Sequence, residues 1–448
     1  MRLGHRLDEI ALRDRYPFAR LWRSIGTPVK GDIEIPESEP TAPDFSIRVA
    51  ELGNLTPIFP HVSSRYGTDA RDEPLGGAGA DVDPELAWLR AVVEAAERYA
   101  SMAADDRDFT VASAHELGSV AMDLDRVPRL SDREYADPKC PLRRPDKAAP
   151  IRWARGYSLV DRCERWVPAV MACLYVSPTP AEWFWSQIST GIAAHTRLTA
   201  ALISAICENI ERDAIALTWL ARLPLPRIDV GAPPPPALAA NLRVLDRGLV
   251  RHHLFDATTD LGIPTAYAIQ LLDGHPKLSQ YVNCATDLSA AAACAKTMRE
   301  AAPGRTVFQL PRSVPDDVNE FTSLFDGATL LGRPEHRGEF EFLLSTPHRR
   351  PLRDVGIEPP AGEPERLRFL LGRLAALGMD AIAVDLTTDE LRDVGLWAVR
   401  VVTPDLMPMS VTHRARYLGH PRLYEYPEKA GFGKLTEDRI NPAPQPFA

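Results

Sequence analysis

Two stretches of this sequence carry one short pattern: Glu94-Ala-Ala-Glu97-Arg98 and Glu208-Asn-Ile-Glu211-Arg212. Residues three and four apart share a helix face, so each stretch, if helical, presents two carboxylates and a guanidinium as one cluster. Taken singly, such a cluster is ordinarily a solvated face with local ion pairs. Two features shift that reading. A turn of small residues precedes each cluster, Leu75-Gly-Gly-Ala-Gly-Ala-Asp81 and Ser189-Thr-Gly-Ile-Ala-Ala-His-Thr196, with Gly79 fifteen residues before Glu94 and Gly191 seventeen before Glu208. Both clusters are also flanked by apolar residues (Val92, Val93, Ala95, Ala96; Ile206, Cys207, Ile210). If the two helices pack together, four carboxylates converge, which is costly unless cations stand between them. Mg²⁺ suits oxygen ligands and keeps waters and substrate phosphates in its shell. Arg98 and Arg212 suit phosphate oxygens, as do backbone amides of turns that open helices. The constellation fits a metal–polyphosphate site, but it is neither a P-loop, a kinase loop nor a dinucleotide fingerprint.

The elements that must position these groups are legible around them. Asp83 is a good N-cap, Pro84 suits the first helical position, and Leu86, Leu89, Val93, Ala96 and Ala100 predict a buried stripe on a helix reaching about Met102. A second helix is expected from Leu198 to about Leu220, capped by Thr196, with Leu198, Ala201, Leu202, Ala205 and Ile210 as its stripe. Residues 1–60 read as short strands and turns, 127–150 as a long ordered loop, and 151–177 as strands. A strand at PTAYAIQLL, a helix from Ala291 to Ala302, a charged linker over 346–364 and a helix–strand–strand unit from Arg366 follow. Helices mixed with strands of varied spacing predict an α/β or mixed α+β fold.

Composition narrows the function. The chain has 448 residues, 45% hydrophobic and 25% charged, so it can bury a large core. A net charge of −9 and the lack of a basic stripe argue against a nucleic-acid partner. The longest apolar run, Pro168 to Val176, falls far short of the ~20 residues that span a bilayer, and the first twenty residues mix charges of both signs. A cytoplasmic location with no membrane partner is expected. The six cysteines are scattered without a zinc spacing and read as reduced thiols.

Several separated segments, in order, resemble the YcaO-domain family: LGGAGADVDPELAWLRAVVEAAERYAS, STGIAAHTRLTAALISAICENIERDAIALTWL, GMDAIAVDLTTDELRDVGLWAVRVVTPDLMPM and RARYLGHPRLYEYP. The best-matching part is about 60–427 of a YcaO domain set at 1–427, with an extended Pro-rich tail over 428–448 that reaches the active site. Pro442, Pro444 and Pro446 resemble the PxPxP ending of azoline-forming cyclodehydratases. A polyproline tail is stiff and could carry the terminal carboxylate into a site at small entropic cost.

The resemblance implies a YcaO-type ATP-binding fold, mixed sheets flanked by helices. It implies an ATP-dependent enzyme that activates backbone amides of a ribosomally made precursor peptide to form thiazoline or oxazoline rings from Cys, Ser or Thr. ATP and Mg²⁺ are the implied cofactors. Glu94, Glu97, Glu208 and Glu211 are the implied Mg²⁺ ligands, and Arg90, Arg98, Thr190, Gly191, Arg212 and Arg305 the implied nucleotide contacts. Ala448, through its terminal carboxylate, is the implied general base, carried by Pro446. Four positions depart from the family pattern: Arg90 for Ser, Ala78 for Lys, Thr190 for Asn, and Pro303 for Gln with Arg305 kept. Arg90 is expected to pair with Glu94 or to face phosphate. No N-terminal segment resembles a fused leader-binding domain, so a stand-alone chain with a separate leader-binding partner is expected; a homodimer stays open. The competing readings are macrolactamidine or thioamide formation on the same scaffold, and a non-catalytic accessory that binds nucleotide or peptide.

Overall fold

The computed structural model describes residues 8–23, 27–35, 44–63, 76–310 and 312–447, so Leu75 and Ala448 lie outside the described residues. Fourteen strands are described: β1 (Val29–Ile35), β2 (Ser46–Leu52), β3 (Gly76–Asp81), β4 (Thr110–Ala112), β5 (Ile151–Ser158), β6 (Cys163–Pro168), β7 (Ile192–His195), β8 (Arg227–Asp229), β9 (Arg251–Asp256), β10 (Thr265–Leu271), β11 (Gln280–Thr286), β12 (Arg349–Pro351), β13 (Ile382–Asp385) and β14 (Trp397–Val402). Seven described helices have eight residues or more: α1 (Pro84–Met102), α2 (Leu198–Ala221), α3 (Pro236–Leu245), α4 (Ala290–Phe308), α5 (Leu324–Leu331), α6 (Glu363–Ala376) and α7 (Arg422–Lys429). The strands form three sheets, β1-β2-β3, β4-β5-β13-β14-β7 with β6 paired to β5, and β11-β10-β9-β8-β12. This is the mixed α+β architecture that the sequence predicts.

Each glycine-rich segment read as a turn is in fact a strand or leads into one. Gly76–Asp81 is β3, antiparallel to β2, and α1 lies directly on it. A Cβ on Gly77 would stand 2.4 Å from the Ala91 carbonyl oxygen, and one on Gly79 would stand 2.1 Å from that of Ala87. Only a strand without side chains on that face lets a helix with alanines at 87, 91 and 95 approach so closely. That contact also sets which face of α1 is buried. Ala87, Trp88, Ala91, Val92, Ala95, Ala96 and Tyr99 are buried, whereas Leu86 is exposed and Leu89 and Val93 are half-buried, so the expected stripe is rotated. Small residues fitting a bare strand outweigh larger apolar ones that do not.

The segment before α2 continues into β7, paired with β14. Thr196 is not the cap: Arg197 occupies the N-cap position without a side-chain cap bond, and Leu198 is exposed. Asp83 caps α1 as expected. The linker contributes β12, parallel to β8, the loop over 127–150 includes a short helix at Asp132–Ala136, and the apolar run after β6 is helical over Ala169–Ala172. α4 runs through Pro303 to Phe308.

The helices sit between the sheets. α1 packs on β2 and β3 and on β7; α2 packs on β7 and β14 on one side and on β10 and β11 on the other; α4 covers β10 and β11 and touches β3. α1 and α2 both lie against β7 and β14, which bridge them. All six cysteines are free thiols; Cys173, Cys207, Cys284 and Cys294 are buried and Cys140 and Cys163 half-buried. Among the described residues, no helix is long and apolar enough to cross a membrane.

The chain's last described residues are built into the core. Asn441 is fully buried at the C-terminal end of α2: its backbone N–H donates to Leu220 O at 2.9 Å, its Nδ2 to Trp219 O at 3.1 Å, and its carbonyl accepts from Arg416 Nη1 at 2.7 Å. Beyond it, Trp219 Nε1 donates to Ala443 O, Pro446 is buried, and the Phe447 ring meets Tyr267 edge-on at 5.2 Å.

Candidate functional site

The repeated sequence pattern becomes a repeated geometry. In the first copy, the Ala78 amide of β3 donates to Glu94 Oε2 at 3.0 Å while Arg98 holds Glu94 Oε1 at 3.4 Å. In the second, the Gly191 amide donates to Glu208 Oε2 at 2.9 Å while Arg212 holds Glu208 Oε1 at 3.2 Å. Each leading glutamate thus ties a backbone amide of the preceding small-residue segment to the guanidinium one turn on. Gly191 has φ +83°, and a Cβ there would meet Asn209 Nδ2 and Val401 O at 2.4 Å, so only glycine brings this amide to Glu208.

The second glutamates differ from each other. Glu97 has its carboxyl pushed well above the usual range, first by burial and then by the charges of Glu208 and Glu94, against Arg98 and a backbone bond from Ala194. Carboxylates from both helices therefore act on one another across β7. Glu211, only 2% exposed, accepts from the Thr286 amide at 3.0 Å and from Lys296 Nζ of α4 at 3.2 Å. Lys296 also approaches Glu300 at 3.6 Å; burial opposes its charge, but Glu211, Glu300 and Glu208 hold its pKa above the ordinary lysine value.

Arg90 does not pair with Glu94. Its Nη2 reaches Asp81 Oδ2 at 3.1 Å, beside Arg299, because β3 ends directly over that turn of α1. Thr190 is buried, and Arg305 is buried on α4. Pro446 lies in the tail, separated from Tyr267 by Phe447. Tyr267 of β10 stands opposite Cys284 of β11, whose thiol is pushed up first by burial and then by Glu211. Ala448 lies outside the described residues.

Sequence reasoning missed Asp81, Lys296, Arg299 and Arg400. Lys296 and Glu300 are four apart on a helix, a spacing that could have been read. Arg400 carries a different signal, a charge inside the apolar strand WAVRVV; it is 4% exposed, and burial, opposed by Glu208, brings its pKa down to about 10.

The glutamates offer carboxylate oxygens, which suit Mg²⁺, and Glu97, beside Arg98, also feels the like charges of Glu208 and Glu94. Among the described residues no three His, Cys, Asp or Glu side chains form a closed metal cage. Mg²⁺ ordinarily takes only part of its shell from protein carboxylates and the rest from phosphates and water. Arg98 and Arg212, set on the same surfaces, suit those phosphates. The residues fit.

The fold is of mixed α+β type, and the two clusters put carboxylates and guanidinium groups side by side. The sequence pattern described as YcaO cyclodehydratase, ATP- and Mg²⁺-binding, matches residues 75–407, and the chain belongs to the YcaO family. ATP and Mg²⁺ are its cofactors. A protein of Rhizobium leguminosarum bv. trifolii, described as an uncharacterized protein in the tfuA 3' region, is 31% identical over 196 residues, 43% of this chain and 44% of its own. A heterocyclase solved in complex with substrate and cofactor shares the fold with TM-score 0.79 and 22% identity, covering 99% of this chain and 58% of that one. YcaO from Methanopyrus kandleri, bound with AMPPCP and Mg²⁺, gives TM-score 0.62 and 15% identity over 90% of each chain. The chain thus spans about half the length of the first two.

Proposed function

We propose that this protein is an ATP-dependent cyclodehydratase acting on backbone amides of a ribosomally made peptide, closing Cys, Ser or Thr onto the preceding carbonyl to give thiazoline or oxazoline. The observation that carries the reading is the mirrored pair of carboxylate–amide–guanidinium clusters joined across β7, on a chain of a cyclodehydratase family. Mg-ATP supplies the phosphoryl group that turns the amide oxygen into a leaving group. In this reading Glu94, Glu97, Glu208 and Glu211 hold the metal, and Arg98, Arg212 and the Gly191 amide orient the phosphates. Thr190 and Arg305 line the nucleotide site, and Arg90 supports it through Asp81. Catalysis is then mostly positioning and charge neutralisation.

The tail supports a second part of the reading. Phe447 is anchored on Tyr267, and Cys284, opposite Tyr267 on the next strand, already feels Glu211. In this proposal the terminal carboxylate of Ala448, the residue after Phe447 in sequence, takes the nucleophile's proton. A separate partner presents the peptide's leader segment. The test is incubation with Mg-ATP, a Cys/Ser/Thr-rich precursor and a leader-binding partner. Loss of one water per ring with matching ADP and phosphate supports the reading; exchange of oxygen for sulfur would assign thioamidation instead.

A further inference from the structure

A cavity of about 30 Å³ lies between α2, β14 and the segments around residues 185–190 and 402–408. Five of the side chains lining it carry a buried polar atom with no hydrogen-bond partner: Trp185 Nε1, Thr190 Oγ1, Arg212 Nε, Arg400 Nε and Thr403 Oγ1. All five can donate. Leaving one donor buried and unpaired costs roughly 1–3 kcal/mol, so five on side chains lining one hollow call for acceptor atoms from outside the chain, water or a ligand's oxygen. Arg400, Thr190 and Thr403 are each more than nine-tenths buried, which makes this a built site rather than a surface accident. Apart from Asn209, its remaining wall is apolar, with Met171, Leu406 and Met407 among the lining groups. The hollow is too small for a nucleotide and about right for one or two oxygen atoms.

We propose that this cavity is the oxyanion pocket of the reaction: it receives the carbonyl oxygen of the peptide amide under attack, with Arg400 and Thr403 as its principal donors. The inference rests on the cyclodehydratase reading. As the side-chain nucleophile bonds to the carbonyl carbon, its proton leaves to the base and the C=O π pair moves onto oxygen. That oxygen, newly charged, lies among fixed, buried donors and is held better there than in solvent. It then takes the γ-phosphoryl group as the bond between that group and ADP breaks. Arg212 borders both halves of the site, through Nη2 on Glu208 and Nε at the cavity, so phosphoryl group and carbonyl meet beside one guanidinium. A phosphoryl oxygen is the other source of the same acceptor chemistry.

The test uses Arg400→Met, Thr403→Val and Trp185→Phe in the full chain, against wild type. With a Cys-containing synthetic precursor and Mg-ATP, kcat should fall by roughly 10²-fold for Arg400→Met and about 10-fold for Thr403→Val. Calorimetric Kd values for Mg-AMPPNP should stay within about twofold. A nucleotide Kd that weakens as much as kcat falls assigns the cavity to phosphate and overturns the proposal; unchanged kcat and Kd leave it a water pocket, which also overturns it. Bromide soaked into crystals gives a readout independent of turnover. An anomalous peak in the cavity with Mg-AMPPNP bound, lost in Arg400→Met, supports the proposal, and its absence from wild type overturns it. Wild type that binds bromide there but forms no ring would sink the cyclodehydratase reading instead.

Discussion

Replacing Gly327 with Ala tests the tail without deleting any group that it uses. Gly327 lies in α5, and nothing in its backbone requires glycine, so alanine should favour the helix by about 1 kcal/mol. The added Cβ would stand 1.9 Å from the Gln445 carbonyl oxygen and 2.9 Å from its carbon. Ordinary contact begins near 3.5 Å, so the tail at Gln445 must shift by more than about 1 Å, and Pro446, Phe447 and the terminus shift with it. Phe447 is only 3% exposed; partial loss of its burial costs at most about 1.5–3 kcal/mol, partly offset by the helix gain. Overall stability should therefore change by no more than about 2 kcal/mol. A misplacement of about 1 Å at a reacting group costs on the order of 10²-fold in rate. The assay is cyclisation of precursor peptide beside Mg-AMPPNP binding: kcat should fall roughly 10–100-fold while nucleotide Kd stays within about twofold. Unaltered cyclisation would refute the reasoning that the tail takes part. Equal losses in both would show that the substitution disturbs α2 instead.

The other predictions concern the clusters, the tail's anchor and a buried imidazole. Glu208→Gln and Glu97→Gln should each abolish peptide-dependent ATP consumption, and normal hydrolysis by both would remove the paired helices from the metal site. Asn441→Ala loses the bond to Trp219 O and should cost about 1–2 kcal/mol. Carboxypeptidase should then release the terminal residues much faster than from wild type, and an equal rate would mean that the anchor lies elsewhere. His420, buried beside Arg422, has its pKa brought down to about 4, first by burial and then by that arginine. The unfolded chain takes up this proton near pH 6.5 and the folded one only near 4, so its stability contribution is full above 6.5 and lost as pH falls towards 4. Wild type should lose about 2 kcal/mol more than His420→Gln between pH 7 and 5, on the order of 1.4 kcal/mol per unit of separation. Equal losses in urea unfolding would contradict the assignment.

Local signals were legible wherever one residue type decides the outcome. Asp83 and Pro84 set the start of α1, and the repeated Glu-x-x-Glu-Arg spacing appears in space as two clusters built alike. What stayed hidden depends on partners distant in sequence. Glycines at 77 and 79 signal a turn from local propensity alone; only the alanine face of α1 shows that they serve close helix–strand approach. Thr196 has the chemistry of a cap, but β7 runs on to His195 and Arg197 takes the capping position. The four glutamates look equivalent in sequence. Lys296, 85 residues from Glu211, separates the buried, lysine-paired Glu211 from Glu97. The tail reads by composition as a stiff, extended segment, and its seat in the core comes from Arg416, Trp219, Leu220 and Tyr267, none of them local.

In the proposed reaction the amide oxygen itself is phosphorylated at the expense of ATP. Precursor peptide carrying ¹⁸O in the carbonyl that precedes the cyclised residue tests it most directly. Each ring formed should deliver its label to inorganic phosphate, one labelled phosphate per water lost. Rings that form with the label released into water, and none in phosphate, would contradict it.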